Sequence, residues 1–147
     1  MHAVITAGDT MRRILGTLAM LAVVALAGCA AQTRSDSLTT TLKAYASTLR
    51  WGDFASAMQF VDPESRTAHP VSALDMARYR QVRVTEYNDD VGPVPVNDME
   101  VRQTVRISLV NVNTQAERTI TDQQTWHYDA ATSHWWLTSG LPDITRD

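Results

Sequence analysis

The sequence predicts an α+β domain, N-terminal helices packed on a curved, cone-like antiparallel sheet, lying after a cleaved signal peptide. Two observations carry the fold class. Apolar residues recur at helical spacing between residues 38 and 61, and from residue 82 onward the period changes to strand alternation. A third observation limits the domain: residues 11–28 read basic, then apolar, then small, the order of a secretory leader. A chain of 147 residues suits one folded unit, which is placed at residues 37–147.

The helices come first. Leu38, Leu42, Tyr45 and Leu49 are spaced four, three and four apart and share one helix face. Asp36 or Ser37 is placed to cap its start, because a short side-chain oxygen can accept from an unpaired amide there. Gly52 marks the end, and Asp53 caps a second helix with Phe54, Ala57, Met58 and Val61 on one side. Pro63 is expected to stop that helix, since its ring removes a donor and disfavours a helical residue before it. A further short helix is read over residues 72–80, with Leu74, Met76 and Ala77 facing inward.

Strands follow. "VRVTEYN" sets Val82 and Val84 on one face. "DDVGPVPVND", with Gly92, Pro93 and Pro95, reads as a loop or an irregular edge, because proline cannot donate to a ladder. Met99, Val101, Val105, Ile107 and Leu109 then alternate with Glu100, Arg102, Thr104, Arg106 and Ser108. Only Gln103 interrupts the apolar face of this long half-buried strand. Residues 117–128 form the next strand, where Ile120, Trp126 and Tyr128 share a face with Asp122 and Gln124. "DAATS" turns the chain, and "HWWLTS" returns as the last strand.

In the leader, Arg12 and Arg13 precede an uncharged run, residues 14–28, shorter than the about 20 residues a bilayer-spanning helix needs. Residues 1–10 lack this pattern, so Met11 is the expected start. Leu26-Ala27-Gly28-Cys29 resembles the lipobox of bacterial lipoproteins. That resemblance implies cleavage before Cys29, transfer of diacylglycerol to its thiol and acylation of the new amino terminus. Because Ala30 rather than Asp follows the cysteine, it also implies the outer membrane, on its periplasmic side. Stable anchoring needs more than one chain, each buried methylene contributing about 0.8 kcal/mol. Cleavage leaves 11 basic against 15 acidic side chains, so lipid rather than surface charge does the anchoring. Residues 30–36, "AAQTRSD", are expected to be a polar tether reaching at most about 25 Å if extended.

The order of helices and meander, with "RWGDFASAMQFVDP" (residues 50–63) joining two helices through Gly-Asp and "TWHYDAATSHWWLTS" closing the sheet, resembles the nuclear-transport-factor-like superfamily over residues 37–141. A cystatin-like sheet wrapped over one helix is the nearest alternative. The resemblance implies a cone whose cavity, in some members, holds isomerase or hydrolase chemistry built on Asp, Tyr or His.

The residues themselves point to little chemistry. A net charge of −3 offers no electrostatic footprint for nucleic acid. No nucleophile motif, phosphate-binding glycine loop or second cysteine is present, so no catalytic residue and no cofactor is assigned. His127 and His134 flank the final turn with Asp122 and Asp129 near in sequence, but a zinc or copper site normally shows three or four ligands at recurring spacing, and no metal is assigned. Trp126, Trp135, Trp136 and Tyr128 are the candidate ligand or partner surface. Trp135 and Trp136 are consecutive and must face opposite sides, one filling the core and the other half exposed. Asp122 and Gln124 would be the only polar cluster in a cavity mouth, and the face that carries them is expected to reach solvent near its end. The expected function is a lipid-anchored, non-catalytic binding or structural module of the cell envelope, taking another envelope component or a small apolar ligand. The alternative is a cavity enzyme of the isomerase or hydrolase kind, which a deep pocket with a buried, pKa-shifted Asp or Tyr would favour.

Overall fold

Residues 30–145 are described by a computed structural model, and the chain falls into two units, Met1–Asp36 and Ser37–Asp147. In the first, residues 30–36 are helical, with Gln32 Nε2 donating to Asp36 Oδ1 at 2.9 Å. At 1.5 Å per residue that segment spans about 10 Å rather than the reach of an extended tether. Cys29 and the leader lie outside the described residues, as do the readings that fall on them. Among the described residues no helix is long and apolar enough to cross a membrane.

The second unit begins with α1, residues 37–51. Leu38, Leu42, Tyr45 and Leu49 are all buried, as their spacing predicts. The backbone is already helical at residues 36 and 37, so neither Asp36 nor Ser37 caps a start there. At the other end the Gly52 amide donates to Thr48 O at 2.9 Å, and a Cβ at Gly52 would meet that same oxygen at 2.8 Å. Only glycine fits this close approach.

Asp53 then caps α2, Phe54–Ala57, by accepting from the Ser56 amide at 2.6 Å. A 3-10 turn, Met58–Phe60, delivers Val61 to a parallel bridge with Leu137. Pro63 does more than end this segment: it opens a helix, α3, Pro63–Ala68. At the first helical position its missing N–H has no intrahelical acceptor to lose, and Asp62 caps by accepting from the Ser65 amide at 2.8 Å. Helix α4, Ala73–Tyr79, is capped by Ser72. Its inward residue is Tyr79, which stacks on Phe54 at 4.5 Å, and not Leu74, which is 60% exposed. Five positions separate the two, about 140° around a helix, so a short helix that buries Tyr79 must expose Leu74.

The sheet comprises β1 (Val82–Asn88), β2 (Val94–Asn97), β3 (Glu100–Asn111), β4 (Glu117–Asp129) and β5 (His134–Leu137), in the order β1-β3-β4-β5 with β2 also pairing β3. All pairings are antiparallel. The expected irregular edge is β2, exposed throughout and broken in register after Pro95. The sheet curls strongly, a half-barrel with the helices packed against it, and the predicted α+β class is the observed one. Its buried face is built by cross-strand pairs, Val101↔Trp126, Gln103↔Gln124, Val105↔Asp122 and Ile107↔Ile120. One irregularity shapes the interior. The β1–β3 register shifts between Val84 and Glu86, and the extra residue brings Tyr87 back toward the inner face although it stands three positions from buried Val84.

Candidate functional site

The buried face of β4 carries a polar group. Gln124 sits at its centre, 1% exposed. Its Nε2 donates to Asp122 Oδ2 at 2.8 Å and to the Tyr87 hydroxyl at 3.0 Å, while its Oε1 accepts from Trp126 Nε1 at 3.2 Å. Residues 122, 124 and 126 point the same way because strand side chains alternate, and the β1 bulge supplies the tyrosine. From α1, Tyr45 packs edge-on against Trp126 at 5.3 Å and against Phe60 at 5.5 Å. Gln103 is the cross-strand partner of Gln124.

Two polar atoms in this group have no partner among the described residues, the Tyr45 hydroxyl and Gln103 Oε1, and both residues are at least nine-tenths buried. Burial raises the Asp122 carboxyl to about 6, opposed only by the Gln124 hydrogen bond. Tyr45 and Tyr87 are raised in turn, first by burial and then by the Asp122 charge among other causes. Burial is also the main cause that pushes Tyr79, on α4, up to about 12, with Asp75, Asp143 and Asp122 adding to it. A buried carboxyl raised to about 6, its charge felt by Tyr45, Tyr87 and Tyr79, is able to hold or move a proton. It also needs a substrate within reach. Two clefts of about 410 Å³ and 160 Å³ lie along the Ser139–Leu141 turn, and neither is lined by Asp122, Gln124 or Tyr45.

These positions correct the sequence reading in one respect. The face with Asp122 and Gln124 does not reach solvent; helix α1, with Tyr45, covers it. The candidate ligand or partner surface is divided by the same geometry. Trp126 is fully buried and Trp135 is 2% exposed, so both are core. Tyr128 is half-buried and packs on Trp135 across the β4–β5 pair at 5.2 Å. Trp136, half-buried, faces the other side with His127 and lies tilted against the His134 ring at 4.2 Å. Alternation thus separates Trp135 from Trp136 as expected.

His127, Asp129 and His134 share the outer face of the hairpin, while Asp122 lies on the inner face and is no neighbour of theirs. The Asp129 carboxyl is committed to the turn, accepting from Thr132 Oγ1 at 2.6 Å and the Ala131 amide at 2.9 Å, and these bonds lower its pKa. Among the described residues no three His, Cys, Asp or Glu side chains gather as a metal site requires.

The chain matches no protein-family model, no curated protein and no solved structure. The exposed tryptophan in the described domain is one that the sequence pattern does not single out, Trp51 at the end of α1, 79% exposed beneath the Arg50 guanidinium at 5.2 Å. Its neighbour Gly52 is the available signal: a residue beside a helix-ending glycine lies where the backbone turns outward.

Proposed function

We propose that this chain is a lipid-anchored, non-catalytic binding or structural module of the bacterial cell envelope, held through Cys29 at the periplasmic side of the outer membrane. The anchor rests on the lipobox-like Leu26-Ala27-Gly28-Cys29 after a basic and apolar leader. The non-catalytic half rests on one observation: Tyr45, Gln124 and Trp126 are each no more than 1% exposed, so the chain's own side chains fill the space beside Asp122 that a substrate would need.

Metabolic labelling with a fatty-acid analogue tests the anchor. The Cys29→Ala chain should remain unlabelled and unprocessed, and a normally acylated Cys29→Ala protein refutes it.

The cavity-enzyme reading is kept for a specific reason, the Asp122 carboxyl raised to about 6 beside the unpartnered Tyr45 hydroxyl and Gln103 Oε1. Acrylamide quenching of a chain that retains Trp126 as its only tryptophan separates the two. A packed interior leaves Trp126 protected, whereas an interior open to substrate admits the quencher.

A further inference from the structure

The two clefts beside the Ser139–Leu141 turn share His69, Val71 and that turn as walls. They form one groove with two different ends. The 160 Å³ end is lined by the apolar Met58, Val61, Val71 and Leu141 and by Arg66. At about 30 Å³ per water-sized volume, it takes roughly five heavy atoms of an apolar group. The 410 Å³ end contains Asp75, Arg78 and Asp143, where the Arg78 charge is already met by Asp75 at 2.9 Å.

Arg66 is the group without an explanation. It is half-buried on α3, and among the described residues no carboxylate pairs with it. The backbone amides of Gly140 and Leu141, residues that also line this end, likewise donate to no backbone acceptor among the described residues. A guanidinium and main-chain donors around a small apolar chamber fit a carboxylate with a short hydrocarbon tail. The charges set the valence: one unpaired arginine meets one negative charge, and Asp143 at the wider end disfavours a second.

We propose that the groove between α3, the α3–α4 connection and the Ser139–Leu141 turn binds a short-chain monocarboxylate, its tail among Met58, Val61, Val71 and Leu141 and its carboxylate on Arg66. This deepens the binding-module reading and rests on it, but does not depend on Cys29.

The test is an amide-resolved NMR titration of the full-length chain with hexanoate, with 1-hexanol as the neutral control. Saturable shifts are expected at Val71, Gly140 and Leu141, with hexanol at least about tenfold weaker. Arg66→Gln should weaken hexanoate by at least about tenfold, the loss expected for one charge-assisted hydrogen-bonding partner, while hexanol binding stays as it was. Val71→Trp, which fills the chamber, should abolish the shifts in a chain whose remaining spectrum is unchanged. Shifts that do not saturate, that fall elsewhere, or that are equal for hexanol and hexanoate overturn the proposal, as does an Arg66→Gln chain that binds like the parent. A chain that ignores hexanoate yet is acylated at Cys29 refutes the groove and leaves the envelope anchor standing.

Discussion

Asp122→Asn tests the interior directly, because it removes one ionisation and almost nothing else. The carboxyl belongs to a residue 9% exposed and is raised from 3.8 to about 6 by burial. A folded-state pKa above the unfolded one means that the native chain binds the proton more tightly. The contribution is fully present below about pH 3.8 and is lost as pH rises through about 6. Above that, the folded protein carries a buried carboxylate at a cost of about 3 kcal/mol relative to acid conditions. Asparagine keeps an oxygen for Gln124 Nε2, which now sits 2.8 Å from Asp122 Oδ2, and its new donor faces a region where the Tyr45 hydroxyl and Gln103 Oε1 lack partners. Urea unfolding of both chains at pH 4 and pH 8 gives the difference. Because pH 4 already lies just above the unfolded value, the variant should gain about 2 kcal/mol on the parent between the two conditions. Asp53, Asp75 and Asp129, whose pKa values are lowered, act in the opposite sense but are common to both chains and cancel. A difference that is the same at pH 4 and pH 8, or that favours the parent at pH 8, refutes the buried carboxylate.

Trp126→Ala should destabilise the domain by about 3–5 kcal/mol, since the side chain is fully buried and its Nε1 serves Gln124; thermal unfolding reads this, and an unchanged melting curve contradicts its place in the core. Tyr87→Phe removes a hydroxyl that accepts from Gln124 Nε2 at 3.0 Å and should cost about 1 kcal/mol in urea, with the far-UV spectrum unaltered. Gly52→Ala drives a Cβ to within 2.8 Å of Thr48 O and should cost about 1–3 kcal/mol, with hydrogen exchange accelerated in the last turn of α1.

Periodicity made the large elements legible. The face of α1 follows from Leu38, Leu42, Tyr45 and Leu49, and the length of β3 from its alternation, because burial of one face is what those spacings encode. It failed where a local choice had two physical outcomes. Pro63 ends the preceding segment as expected but also begins a helix, which the Asp62 cap makes possible. Leu74 is apolar, but a two-turn helix has a narrow inner face and Tyr79 occupies it. The site was half legible. The shared face of Asp122, Gln124 and Trp126 could be read from alternation, but its direction could not, since which way a polar-bearing face points depends on what covers it. Tyr45 and Tyr87 could be read as pocket-lining tyrosines, but not the Gln124 partner of Tyr87: the register shift after Val84 that turns Tyr87 inward has no residue signature in "VRVTEYN".

A buried carboxyl that opposes folding at neutral pH calls for a reason other than stability, and the sheet suggests one. Sliding β4 by two residues along β3 would keep every inward side chain inward, so the apolar pattern alone does not forbid it. The polar chain does. Tyr87 lies on β1 and Gln124 on β4, with β3 between them, so their contact spans three strands and exists in one register. A two-residue slip moves Gln124 about 7 Å along the strand, out of reach of the Tyr87 hydroxyl, and leaves buried amide groups without partners at about 1–3 kcal/mol each. Replacing the cluster with leucine and valine would remove that penalty from the wrong register along with the pH-dependent cost from the right one. The interior hydrogen bonds therefore penalise a two-residue slip that the alternation of apolar residues does not itself forbid.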